Sequence, residues 1–171
     1  MALDHSDVVG GIVLIGGYYY PSARADVLFA AQPAIPVFGD LMRHTVSPLL
    51  GAALTPRINH EIFDPAPVTD GWLERFPVEM TLRPSQIRSE AAEAAMMVPA
   101  AAGLSKRYEE LTLPLTIVAG GGDRIVDTND QSRRLHSSLP QSRLVEIDGA
   151  GHMAHHTASQ MVVGAIRDCI G

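Results

Sequence analysis

Two apolar runs in the last third of the chain each stop at a cluster of glycines, and this repeated pattern limits the fold more than any other feature. The first, "LPLTIVAGGGD", carries a run from Leu115 to Ala119 that is apolar on both faces and ends at Gly120–Gly122. The second, "SRLVEIDGAGH", runs from Arg143 to Ile147 and breaks at Gly149 and Gly151. Short runs without polar alternation, bounded by turn signals, suit strands inside a parallel sheet. Near the N-terminus, "GIVLIGGYYYP" gives a third such strand over Ile12–Ile15.

Parallel strands need a crossover, and the segments between them supply helices. "NDQSRRLHSSLP" places Val126, Leu135 and Leu139 at roughly helical spacing, with Asp127 or Thr128 available to cap the start. "SQMVVGAIRDCI" predicts an amphipathic closing helix with Met161, Val162, Ala165, Ile166 and Cys169 on one stripe. The expected class is therefore α/β, a short parallel sheet of about three strands flanked by helices.

Residues 22–110 differ. They contain no convincing strand, and recurrent prolines divide them into short helical pieces, one of them interrupted at Pro99. This reads as a helical insertion lying over the strand ends. Its apolar residues Trp72, Phe76, Met80, Met96 and Met97 are expected to pack in its core. The chain divides into a first strand and turn (1–21), the insertion (22–110) and an α/β core (111–171).

Composition narrows the partners. At 171 residues the chain is long enough for one domain, and 46 % hydrophobic content excludes disorder. A net charge of −6 with no basic run argues against nucleic acid. One cysteine, Cys169, permits neither an internal disulfide nor a CxxC metal site. The longest apolar run, Val8–Tyr20, has 13 residues against the roughly 20 a membrane span requires. "MALDHSD" lacks the basic start of a signal peptide, so a cytoplasmic location is expected.

Asp123 follows one sheet strand and His152 another, 29 residues on, both at the carboxyl end where open α/β sheets bind ligands. Taken alone, Asp123 could cap the next helix and His152 could be a turn histidine. If their strands are neighbours, the carboxylate and imidazole can meet, which fixes the ring's tautomer and leaves its other nitrogen as a general base. The H-x-x-H-H pattern of His152, His155 and His156 lacks the spacing of a zinc site, so no metal or other cofactor is expected. Tyr18, Tyr19 and Tyr20, at a strand end, could line a substrate pocket or pack beneath the insertion.

Gly120, Asp123 and Val126 in "G..D..V", with Gly149, Gly151 and His152 in "G.GH", resemble the C-terminal part of the α/β-hydrolase fold. The resemblance implies that Asp123 is the triad acid, His152 the triad base and 22–110 a cap, and that a small-molecule ester or acyl compound is the substrate. It also implies a nucleophile earlier in the chain, in a G-x-S-x-G elbow. No such motif occurs. Ser6 precedes a strand, Ser22 lacks flanking glycines, and Ser47, Ser85, Ser89 and Ser105 lie in the insertion. The expectation is the C-terminal portion of a serine-type hydrolase, inactive alone because losing the nucleophile removes about 10⁶ in kcat. The alternative is a non-catalytic protein of the same fold that binds a ligand or partner. A first strand without a neighbour would leave an exposed edge, from which self-association is expected.

Overall fold

The computed structural model describes residues 1–23 and 25–170. Three strands, β1 (Ile12–Ile15), β2 (Leu115–Gly120) and β3 (Ser142–Ile147), form one parallel sheet in the order β1-β2-β3. Val118 sits opposite Ile15 on one side and Val145 on the other. β2 is central, and all six of its residues are buried. Period-two alternation sends Leu115 and Ile117 to one face, where they pack with Leu135 and Leu139; Val118 on the other packs with Val162 and Ala165.

Helices α1 (Ala25–Ala30), α2 (Phe38–His44), α3 (Val46–Phe63), α4 (Asp70–Arg75), α5 (Val78–Thr81) and α6 (Pro84–Leu104) lie between β1 and β2. α6 continues through Pro99, contrary to the expected interruption. Ala91 and Ala101 are buried on either side of that proline, so packing on both flanks offsets the roughly 3 kcal/mol that a helix-interior proline costs. The methionines also depart from expectation. Met80 and Met96 are 52 % and 61 % exposed, because the core of this region is built on Phe63, Ala91 and Ala101 instead.

Between β2 and β3 the chain forms a π-turn over Asn129–Arg133 and then α7 (Arg134–Ser138). Asp127 Oδ1 accepts the Asp130 N–H at 2.9 Å, which caps the turn as expected. Thr128 instead turns inward and donates to the Gly120 carbonyl at 2.9 Å.

After β3 come α8 (Ala154–Thr157) and α9 (Ser159–Ile170). The apolar stripe of α9 is narrower than expected. Val162 and Ala165 are buried and Cys169 Sγ reaches the Ile12 carbonyl, whereas Met161 and Ile166 flank that line and are 49 % and 39 % exposed. At about 100° per residue they point to the sides of a helix whose contact face covers only a small sheet.

Candidate active site

The parallel register brings three strand ends to one edge of the sheet. Gly16 follows β1, the Gly120–Asp123 loop follows β2, and the Asp148–His152 turn follows β3. The last two touch backbone to backbone. Gly121 N–H donates to the Ile147 carbonyl at 2.9 Å and Gly122 N–H to the Ala150 carbonyl at 3.0 Å. A Cβ on Gly120 would stand 2.2 Å from the Gly151 oxygen, and one on Gly151 would stand 2.2 Å from the Asp64 oxygen. The glycines visible in the sequence are therefore what permits the two loops, and the end of α3, to close on each other.

Within this contact Asp123 Oδ2 lies 2.8 Å from His152 Nδ1. The Asp123 side chain is 2 % exposed and the His152 side chain 27 %. Oδ1 of Asp123 accepts the Ile125 and Val126 N–H groups at 2.8 and 3.0 Å. One carboxylate thus fills both roles that the sequence left open, turning the following loop with one oxygen and holding the imidazole with the other. A carboxylate can only accept, so the proton between them belongs to Nδ1, and the lone pair of the neutral ring is at Nε2. Gly16, at φ +54°, lies beneath the ring: a Cβ there would meet His152 Nδ1 at 3.4 Å and Cε1 at 3.5 Å. The imidazole packs against the backbone at the end of β1, and the positive φ there favours glycine.

The three tyrosines separate. Tyr19 and Tyr20 are buried in the core. The Tyr19 hydroxyl oxygen accepts the Gly17 N–H at 3.2 Å, the Tyr20 hydroxyl pairs with that of Ser138, and the Arg134 guanidinium lies 3.9 Å from the Tyr20 ring centre. Burial pushes the Tyr19 hydroxyl up to about 12, with nearby Tyr108 adding to the rise. Tyr18 instead lines a cavity of about 350 Å³ with Ser22, Arg124 and Val126, beside the acid-bearing loop.

Two features escape the sequence reading. Gln131 is buried and clamps the tyrosine loop: its Oε1 accepts the N–H groups of Tyr19 and Tyr20, both at 2.7 Å, and its Nε2 donates to the Tyr20 carbonyl at 2.9 Å. Its position between Thr128 and Leu135 on one helical face was the available signal. The second is an aromatic bridge. His156 meets Trp72 edge-on at 5.0 Å, and Trp72 packs on Phe63 and Phe76 at 5.5 and 4.4 Å. With Met153 N–H donating to the Ile62 carbonyl at 3.1 Å, it fastens the helical insertion to the histidine-bearing loop. Arg124 and Asp64 add an ion pair at 2.8 Å, without the alignment of a hydrogen bond. Among the described residues no three His, Cys, Asp or Glu side chains converge as a metal site, and no helix is long and apolar enough to cross a membrane.

A family model for the α/β hydrolase fold matches residues 1–159. Among solved structures, an α/β hydrolase fold protein from Burkholderia ambifaria superposes with a TM-score of 0.72 at 18 % identity, over 98 % of this chain and 60 % of its own. The enol-lactonase from Burkholderia xenovorans LB400 gives 0.62 at 19 %, over 99 % and 59 %. A thermophilic esterase from Thermogutta terrifontis gives 0.55 at 20 %, over 98 % and 57 %. The chain thus spans less than two thirds of each, and at these identities the likeness speaks for the fold alone. No curated protein matches significantly.

Proposed function

The chain belongs to the α/β-hydrolase fold family, and from that premise we propose that Asp123 and His152 are the acid and base of an acyl hydrolysis whose serine nucleophile lies outside residues 1–171. The observation that carries this reading is the 2.8 Å contact between Oδ2 and Nδ1. With Nδ1 protonated toward the carboxylate, Nε2 takes the hydroxyl proton of an attacking serine and returns it to the leaving group. Asp123 stays ionised and supports the transient imidazolium. Two features favour a nucleophile supplied from beyond β1. The 171 residues hold no G-x-S-x-G, and β1 ends the sheet with one edge unpaired among the described residues. A further strand on that edge would carry its elbow toward Gly16 and His152. The same edge supports self-association of the chain.

On this reading the helical insertion is a cap, and Tyr18 contacts substrate while Tyr19, Tyr20 and Gln131 hold its loop from behind. The names of the enol-lactonase and the esterase point to carboxylic esters or lactones as the substrate class. The test combines the chain with a polypeptide carrying a strand, a G-x-S-x-G turn and a helix from a family member. The chain alone should not raise p-nitrophenyl ester hydrolysis above buffer. The combination should turn over and lose at least about 10³ in kcat with His152→Ala. Turnover unchanged by that substitution would overturn the assignment.

A further inference from the structure

Asp123 and His152 are each flanked in the chain by residues that touch one piece of the helical insertion, the end of α3 and the two residues after it. Beside Asp123, a Cβ on Gly122 would stand 2.5 Å from Pro65 Cδ, and the Arg124 guanidinium pairs with the Asp64 carboxylate at 2.8 Å. Beside His152, a Cβ on Gly151 would stand 2.6 Å from the Phe63 oxygen, and Met153 N–H donates to the Ile62 carbonyl at 3.1 Å. Residues 62–65 thus reach both chain neighbours of both side chains. A shift of this segment must carry the two loops with it, break a hydrogen bond or open a gap in close packing.

Phe63 anchors the segment. Its side chain is fully buried, and its ring meets Trp72 of α4 at 5.5 Å and His156 of α8 at 6.0 Å. One ring therefore packs on the insertion and on the histidine-bearing loop at once. Ring contacts of this kind contribute about 0.5–1.5 kcal/mol each beyond the area they bury.

We propose that Phe63 is a positioning residue for the Asp123–His152 pair: it sets the end of α3, and the end of α3 sets the two loops at the separation where the carboxylate holds the imidazole, 2.8 Å between Oδ2 and Nδ1. The inference rests on the acid–base reading of that pair and adds to it a dependence on the insertion. Hydrogen bonds weaken steeply with misalignment, so a small displacement of α3 loosens the hold on the ring tautomer. In a working enzyme a misplacement of about 1 Å can cost about 10²-fold in rate.

Nitrogen-15 NMR of the His152 ring in the full chain, at a pH where the ring is neutral, reads this alignment without requiring turnover. Phe63→Leu keeps the site apolar and removes the ring contacts. It should raise the Nε2-protonated share of His152 at least about threefold over wild type. Leu135→Val trims the sheet core instead and should leave that share unchanged, because loss of stability alone does not move the end of α3. Trp72→Leu removes the ring on which Phe63 packs, and it decides the matter in the same way if Phe63→Leu does not fold. With the wild-type ring protonated on Nδ1, a share that Phe63→Leu leaves unchanged, or that Leu135→Val raises equally, would overturn this inference and leave the acid–base reading standing. A wild-type ring protonated on Nε2 would remove both.

Discussion

β2 hides all six of its residues, while α3, with 18, hides only Asn59 and Phe63. The same contrast holds across the regions they belong to. The sheet core packs Ile117, Val118, Leu135 and Leu139 at 2 % exposure or less, whereas the helical insertion leaves Val37, Leu41 and Leu49 at 81, 66 and 74 %. The sheet closes its own core with the helices packed on its two faces. The insertion is tied down at its inner end, by Phe63, Trp72 and the Met153–Ile62 bond, and is apolar on its outer side. The two regions meet at one place: the loops that carry Asp123 and His152 close on each other at the sheet edge, and the insertion touches them at its inner end, through Ile62 and Asp64.

The largest expected effect breaks or confirms that contrast directly. Leu135→Ala empties a fully buried site and should cost about 3 kcal/mol in urea unfolding. Leu49→Ala, in the insertion, should change stability by less than about 0.5 kcal/mol. Equal costs would mean that the two regions share one core.

Next in size is an alkaline effect. The Tyr19 hydroxyl is held at about 12 in the folded chain, against its usual value near 10. Between those values the folded state keeps a proton that the unfolded state has lost. The stabilisation is therefore complete below pH 10 and is lost as pH rises toward 12, by about 2 kcal/mol. Tyr19→Phe should flatten that decline in melts taken from pH 9 to 12; an unchanged slope would show that Tyr19 is not in the sheet core.

The smallest effect lies on the loop joining the regions. Burial, with His156 and His152 nearby, holds His155 below its usual value. Its folded value is depressed, so its contribution is present above pH 6.5 and declines as pH falls through the folded value. His155 is exposed, and screening keeps the effect below that of Tyr19. His155→Gln should reduce the fall in melting temperature between pH 7 and pH 5.

The strands were legible because each apolar run is enclosed by its own stop signals: Pro114 before β2, Gly120–Gly122 after it, and Gly149 and Gly151 after β3. Once those strands are parallel neighbours, the placement of Asp123 and His152 at one edge follows from chain direction alone. What stayed hidden depends on partners distant in sequence. Nothing local to Pro99 says that Ala91 and Ala101 will be buried on both sides of it. Met80 and Met96 have helical spacing whether or not a partner covers them. Met161 and Ile166 look like stripe residues until the width of the sheet beneath α9 is known. Gln131 reads as one more polar helix position unless the tyrosine loop is placed against it, 111 residues away. The bridge from Trp72 to His156 joins segments that no local pattern relates.

Nitrogen-15 NMR of the histidine ring measures most directly whether Asp123 fixes the tautomer of His152. At a pH where the ring is neutral, His152 should carry its proton on Nδ1, with Nε2 showing the shift of an unprotonated nitrogen, and Asp123→Ala should abolish that preference. A His152 ring protonated on Nε2 in the wild-type chain, or one whose shifts ignore the loss of the Asp123 carboxylate, would contradict it.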